Sequence, residues 1–316
     1  MPRFLKSSKS YPLDGSANNA FSRCFSHFQP CNPSLPPAPV SGGDTIQDRF
    51  LSLKIIAKLL PTLICALVLF LAGCVPATLA PPRAPLSAGQ EERLWERVRD
   101  NGQQYQSLRG LAKVQVSRQG KNAGVNQVLV VEKPDRFRAE TLNPFGFGSP
   151  LLLMATDGRE LAVMVPGEGR MFRGEATSLN LQRFTQVPLY LEDLIQFILY
   201  QVPLIPYDES RAYRIADGRM QLELRDGDRR QEIYFNDREQ LLETSYYAGE
   251  ELTLRVRYDN FSPEEKPFPL SASLEIPGRQ ARASLVFTEL QTNVAPDAAL
   301  FLLDTPPGYE EVPIPE

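Results

Sequence analysis

Histidine and cysteine are scarce in this chain of 316 residues: one histidine, His27, and four cysteines, Cys24, Cys31, Cys65 and Cys74. Beyond position 74 there is neither. A segment without them cannot build a Ser-His-Asp triad, a thiol nucleophile, a disulfide or the ligand sets that hold zinc. His27 with Cys24 and Cys31 lacks the second cysteine pair that a metal site needs. Basic clusters are also missing. From Cys74 onward 27 Lys and Arg stand against 35 Asp and Glu, a net charge of −8. Phosphate backbones need clustered cations, so nucleic acid is not an expected partner. Carboxylates remain, yet neighbours such as Asp208-Glu209, Glu250-Glu251 and Glu264-Glu265 point to different sides of the backbone and read as solvated charges. No catalytic residue, metal or cofactor is expected, and the chain reads as a non-enzyme.

What the chain does have is an uncharged, mostly apolar run at 59–73 behind Lys54 and Lys58, ending in Leu71-Ala72-Gly73-Cys74. A basic region, an apolar stretch and small residues at the cut make a secretory signal. The last four residues resemble a bacterial lipobox, whose cysteine becomes the diacylated first residue after cleavage. An uncleaved transmembrane helix is the alternative, since the uncharged run continues to Ala80 and about 20 residues span a bilayer. Pro61, Gly73 and Pro76 fit such a helix poorly. Under either reading the rest of the chain is tethered. Residues 1–50, rich in Ser, Pro, Asn and Gly, precede this signal and read as an upstream or disordered extension, with the working start near Leu51 or Leu53. The expected organisation is extension 1–50, signal 51–73, Pro-rich tether 74–88, main domain 89–290 and tail 291–316.

After an amphipathic helix candidate at 91–105 the periodicity changes to two. Strands are expected near 111–117, 125–132, 136–142, 151–156 and 160–165, and again near 211–216, 220–225, 230–236, 240–247, 252–261, 270–276 and 281–290. Asp217-Gly218 and Asp226-Gly227 mark tight hairpins. Consecutive strands with short turns make an antiparallel meander, with one face apolar and one wet. Residues 177–202 interrupt it with helical, almost wholly apolar material around Leu194, Phe197 and Ile198. These helices either fill the core or cover a ligand cavity as a lid. The loop Asn143-Pro144-Phe145-Gly146-Phe147-Gly148-Ser149-Pro150 carries two rings that either fold back or stand out toward a bilayer.

The order of these parts, with Asn143-Pro144-Phe145-Gly146 and the insertion Val187-Pro188-Leu189 to Leu199, resembles LolB, the outer-membrane receptor for lipoproteins, over roughly 105–290. The resemblance implies a mainly β fold with helices, an unclosed antiparallel β-barrel (half-barrel) capped by an inserted helical lid. It implies acyl chains of a lipoprotein in the concave face, against Val128, Val130, Phe137, Leu194, Phe197, Ile198, Leu222, Leu224, Leu274 and Leu285. It places Phe145, with Phe147 beside it, as an apolar finger on the membrane, and Cys74 as the lipidated residue. Phe197 stands where LolB carries a tryptophan, and Val75 after the cysteine agrees with outer-membrane sorting under the enterobacterial rule. The partners so implied are acylated lipoprotein cargo, a soluble periplasmic carrier of the LolA kind and membrane lipids. The implied place is the periplasmic face of the outer membrane. A lipid-sensing or envelope-stress-sensing lipoprotein on the same fold, binding a partner without transfer, is the alternative. Physics favours a sheltered transfer: three chains of about 16 carbons, at about 0.8 kcal/mol per CH2, cost tens of kcal/mol to expose to water.

Overall fold

The protein is described by a computed structural model in which residues 83–145 and 149–314 are placed. The lipobox with Cys74, the preceding segment and Phe147 lie outside the described residues.

Among the described residues, period-two segments joined by turns give a single sheet of fifteen strands. The first run is β1 (Arg83–Pro85), β2 (Ser107–Arg118), β3 (Lys121–Glu132), β4 (Arg136–Thr141), β5 (Leu152–Thr156), β6 (Glu160–Val165) and β7 (Arg170–Glu175). The second is β8 (Glu209–Ile215), β9 (Met220–Asp226), β10 (Arg229–Phe235), β11 (Leu241–Ala248), β12 (Glu251–Phe261), β13 (Pro269–Ile276), β14 (Ala281–Thr292) and β15 (Glu310–Pro313). Their order is β1-β8-β9-β10-β11-β12-β13-β14-β2-β3-β4-β5-β6-β7-β15, and among the described residues the two end strands do not pair with each other, so the sheet does not close into a barrel. All pairs are antiparallel except β15 on β7. Two meanders thus meet along β14 and β2. There a bulge at Phe287/Glu289 faces Gly110, where a Cβ would sit 2.7 Å from the Glu289 carbonyl oxygen. A bulge against a glycine bends a strand pair sharply, and this one sits at the middle of the curl.

Among the described residues three α-helices lie on the concave side. α1 (Ala88–Gln104) buries Leu94 and Val98 and stacks Trp95 on Tyr207 at 5.4 Å. α2 (Ser178–Thr185) is capped by Thr177, whose hydroxyl accepts from the Asn180 amide, and α3 (Leu191–Ile198) follows after Pro188. The concave residues of both meanders and the buried sides of the helices form one apolar cluster.

The fold extends past both expected boundaries of the main domain. From Arg83 the supposed tether is already strand β1 on the β8 edge, and the tail crosses the convex side and returns as β15. On that side Leu303 packs with Leu153, Ala155, Ala162 and Met171. Arg138 Nη1 donates to the Leu300 carbonyl there (2.8 Å). Beyond β15 the chain returns to the inner side, where Ile314 joins the main cluster and seats where a side chain on residue 174 would be, so glycine is required at that position. Strands β5 to β7 are therefore covered on both faces, which is why β5 is buried at every position. The convex face of β9 to β12 is instead a lattice of ion pairs. Arg225 and Arg83 hold Glu223 at 2.7 Å each, and Arg255 lies 3.1 Å from Glu243. Burial pushes the Glu223 carboxyl up, but its hydrogen bonds from Arg225 and Arg83 outweigh that and hold it below the usual range. Such a carboxylate stays charged near neutrality and is suited to structure.

Candidate functional site: an apolar cavity under a helical lid

The two halves of the concave face differ. In the β9 to β11 half, Leu222, Leu224, Ile233 and Phe235 are wholly buried beneath the segment 199–205 that follows α3. Side chains on the sheet pin that segment. Tyr246 Oη donates to the Pro203 carbonyl (2.6 Å), and Tyr200 Oη donates to that of Leu241 (2.9 Å). Gln231 donates through Nε2 to Pro203 and accepts from the Ile205 amide through Oε1. Tyr258 Oη reaches the Phe197 carbonyl (3.1 Å) and so fixes the end of α3. These inward hydroxyl and amide groups are all hydrogen-bonded to the segment or its neighbours, and the packing is solid.

The other half is covered incompletely. An apolar cavity of about 140 Å3 lies between α2 and α3 and the strands β2, β3, β13 and β14. Its walls are Val114 and Val116 of β2, Ala123, Val125 and Leu129 of β3, Phe137 of β4, and Leu152 and Met154 of β5. Val256 of β12, Ala272 and Leu274 of β13, and Ala283 and Leu285 of β14 complete the sheet side. Phe184, Val187, Leu194, Phe197 and Ile198 form the roof, and among the described residues the polar side chains on the lining are Gln127, Thr185, Ser273 and Ser284. Many of these apolar walls stay partly exposed, Val114, Val116, Val125, Leu274, Ala283 and Leu285 among them. Binding pockets commonly hold about 300–1,000 Å3. The space as it stands takes a ring or a short length of alkyl chain, and a whole fatty chain requires α2 and α3 to rise.

Of the residues expected to face acyl chains, Phe137, Leu194, Phe197, Ile198, Leu274 and Leu285 line this cavity. Leu222 and Leu224 do not: they belong to the solidly packed half. Val128 and Val130 are corrected to the opposite face. In β3 it is the odd-numbered residues that point inward, because Val125 pairs with Val114 and Leu129 with Gly110. The run 128–131 is apolar on both sides, since Val130 stands opposite Arg138, which holds the tail, and its period is therefore ambiguous. The signal that resolves it lies one turn back, where Ala123 and Val125 alternate with Asn122, Gly124 and Asn126. A one-residue slip reverses every side chain. Val114, Val116, Ala272 and Ala283 are walls that sequence alone does not single out: alternation shows their face, but not which strands meet under the lid.

The loop after β4 leaves the sheet at this cavity's end. Thr141 pairs with Leu152, a wall residue, and the amides of Leu142 and Leu151 donate to Asn126 and Thr141 (2.8 and 2.9 Å). Asn143 Oδ1 accepts from the Phe145 amide (3.0 Å), a local turn that leaves the Phe145 ring 78% exposed. Phe147 lies outside the described residues. Among those residues no helix is long and apolar enough to cross a membrane, and no group of side chains could hold a metal ion.

One acid sits inside the roof. Asp193, in the first turn of α3, is buried, and burial first, then the neighbouring charge of Glu192, pushes its carboxyl up to about 6. An acid whose pKa is raised on folding favours the folded state at low pH; stability is lost as pH rises from about 4 to 6 and the deficit persists above. Asp193→Asn is expected to raise stability at pH 7.5 by about 1–3 kcal/mol, with the gain shrinking steadily toward pH 4. Urea unfolding at several pH values measures this, and a gain independent of pH would contradict it.

No known family and no curated protein matches the sequence. Among solved structures the chain is similar to a DUF1329 family protein from Desulfovibrio piger, at 16% identity over 68% of this chain and 96% of that one, with a TM-score of 0.45. It is similar to a LolA superfamily protein from Nitrosomonas europaea, at 14% identity over 67% and 97%, with a TM-score of 0.41. It is also similar to the lipoprotein LppX from Mycobacterium tuberculosis, at 10% identity over 67% and 100%, with a TM-score of 0.29.

Proposed function

We propose that this is a lipid-anchored, non-catalytic protein of the cell envelope that holds acyl chains in the cavity beneath α2 and α3 and passes them to a membrane. The observation that carries the reading is the contrast within one concave face: solid packing around Leu222 and Leu224, and a partly covered apolar cavity at the end from which Phe145 projects. Large apolar surface left half-covered in a folded domain marks a binding site. A fatty chain moves only between apolar surfaces, and here wall and exposed ring are neighbours. With Cys74 acylated the domain is held at the bilayer it serves, on the periplasmic face of the outer membrane. The cargo that suits this arrangement is an acylated lipoprotein, received from a soluble carrier and inserted with Phe145 touching the lipid.

Mass spectrometry of the protein extracted under mild conditions from its own membranes tests this. A triacylated Cys74 at the N-terminus together with a bound acylated peptide or lipid is the expected result. An unprocessed N-terminus and a domain carrying nothing would contradict it, and a co-purifying protein without any acyl ligand would point to a sensor.

A further inference from the structure

Three neighbouring strands change character at the mouth of the cavity in the same way. Along β2 the inward residues run Val114, Val116, Arg118; along β3, backwards from the cavity, Val125, Ala123, Lys121; along β14 and the turn before it, Leu285, Ala283, Ala281, Arg279. Register holds these ends together. Arg118 pairs with Lys121 on one side and Ala281 on the other, and the Gln119 amide donates to the Gln280 carbonyl (3.1 Å), tying the two hairpin tips. Each apolar stripe thus ends in a cation at the rim.

None of the three makes an ion pair with a described carboxylate. Arg118 is half-buried and donates only to neutral groups of the lid. Its Nη1 lies 3.2 Å from Gln186 Oε1, and the Gln182 amide, with its oxygen turned inward as the hydrogen bonding requires, accepts at 3.0 and 3.2 Å. Burial, then the charge of Arg279, pushes the Arg118 guanidinium below its ordinary value. Glu251 reaches the same turn beside Gly278 without pairing with Arg279. Like charges placed directly across a strand pair, as Arg118 and Lys121 are, cost stability, and a partly buried cation without an anion costs more. The arrangement is unfavourable alone and favourable around an anion, which two guanidinium forks grip well.

We infer that the rim formed by Arg118, Lys121 and Arg279 binds the anionic head of an amphiphile whose acyl chain occupies the cavity. This rests on the acyl-chain reading of the cavity and narrows its ligand: a chain capped by a carboxylate or phosphate is preferred to a neutral one. The anion belongs either to a free lipid or to an acidic side chain next to an acylated cysteine; the chemistry at the rim is shared.

The test is competition by soluble amphiphiles, below their micelle concentration, for an environment-sensitive 16-carbon probe bound to the full chain. The pairs compared are hexadecanoate against its methyl ester, hexadecyl phosphate against hexadecanol, and a diacylated-cysteine peptide carrying Asp against one carrying Asn at the next residue. The charged member of a pair is expected to bind about tenfold more tightly or better. In the variant combining Arg118→Gln, Lys121→Gln and Arg279→Gln that advantage disappears while the neutral members bind as before. A preference confined to the free lipids or to the peptide upholds the rim site and names its source. Equal binding of charged and neutral members to the unaltered chain overturns the inference while leaving the acyl cavity standing. So does a triple variant that keeps the preference and loses only adhesion to anionic vesicles. If no amphiphile displaces the probe and the probe itself does not bind, the cavity reading fails first.

Discussion

Replacing Phe145 by glutamate is expected to leave the fold intact and reduce acyl transfer to liposomes by about 10- to 100-fold. The ring is 78% exposed and the Phe145 amide donates to Asn143 in a turn of its own loop, so little packing is lost. Sinking a phenylalanine into a bilayer contributes about 1.5–3 kcal/mol, and each 1.4 kcal/mol is a factor of ten. A carboxylate in its place opposes entry as well. The checks are circular dichroism for the fold, equilibrium binding of an acyl probe to show that loading is unchanged, and stopped-flow transfer of that probe from protein to vesicles. Transfer at the rate of the unaltered protein would remove Phe145 from the account. Phe145→Leu, which keeps an apolar tip, is expected to retain most of the rate.

Ala283→Phe is expected to give a stable protein that loads poorly instead of one that loads normally and transfers slowly. Ala283 lies on an inward position of β14, partly exposed at the cavity wall, and an aromatic residue suits a strand. Apolar cavities of about 150 Å3 accept a benzene ring, so a phenyl group grown from this wall fits the roughly 140 Å3 available. Filling it adds contacts and leaves the melting temperature unchanged or raised. Acyl-probe affinity is expected to fall by about tenfold or more, because the ring holds the space that the first carbons of a chain would enter. Unimpaired loading with a filled cavity would place the ligand elsewhere. A fall in stability matching the fall in binding would mean only that β14 had been disturbed.

The meander was legible in the sequence because turn residues such as Asp217-Gly218 and Asp226-Gly227 punctuate clean alternation, as in Met220, Leu222 and Leu224. The helical interruption was legible from its composition. Three strands were not. β1 is three residues ending at Pro85, β7 reads Arg-Met-Phe-Arg-Gly-Glu with little alternation, and β15 lies in a stretch rich in Glu and Pro. β1 and β15 depend on partners far along the chain, β8 and β7, rather than on local preference, and β7 closes a hairpin with β6 that its own pattern does not announce. The tail's path over the convex face is equally hidden, and with it the reason that the outward residues Val128 and Val130 are apolar. When a strand is covered on both faces its pattern no longer says which side is the core. The cavity residues fall between these cases. Leu194, Phe197 and Ile198 advertise themselves by being apolar in a short helix, whereas Ala272 and Ala283 matter because they are small. Leu222 and Leu224 show the limit plainly. They share the concave face and its periodicity with Leu274, and only the path of residues 199–205, pinned by Tyr200, Gln231 and Tyr246, decides which half of that face is filled.

The account stands on the claim that acyl chains enter between the lid and the β2, β3, β14 wall. Site-specific photocrosslinking tests it most directly. A photoreactive side chain placed at Val125, inward on β3 and lining the cavity, is compared with the same group at Val128, three residues on and outward. Each is irradiated with a radiolabelled 16-carbon lipid bound to the folded chain. Adducts at position 125 and none above background at 128 are the predicted result. Equal labelling at both positions, or labelling at 128 alone, would contradict the account.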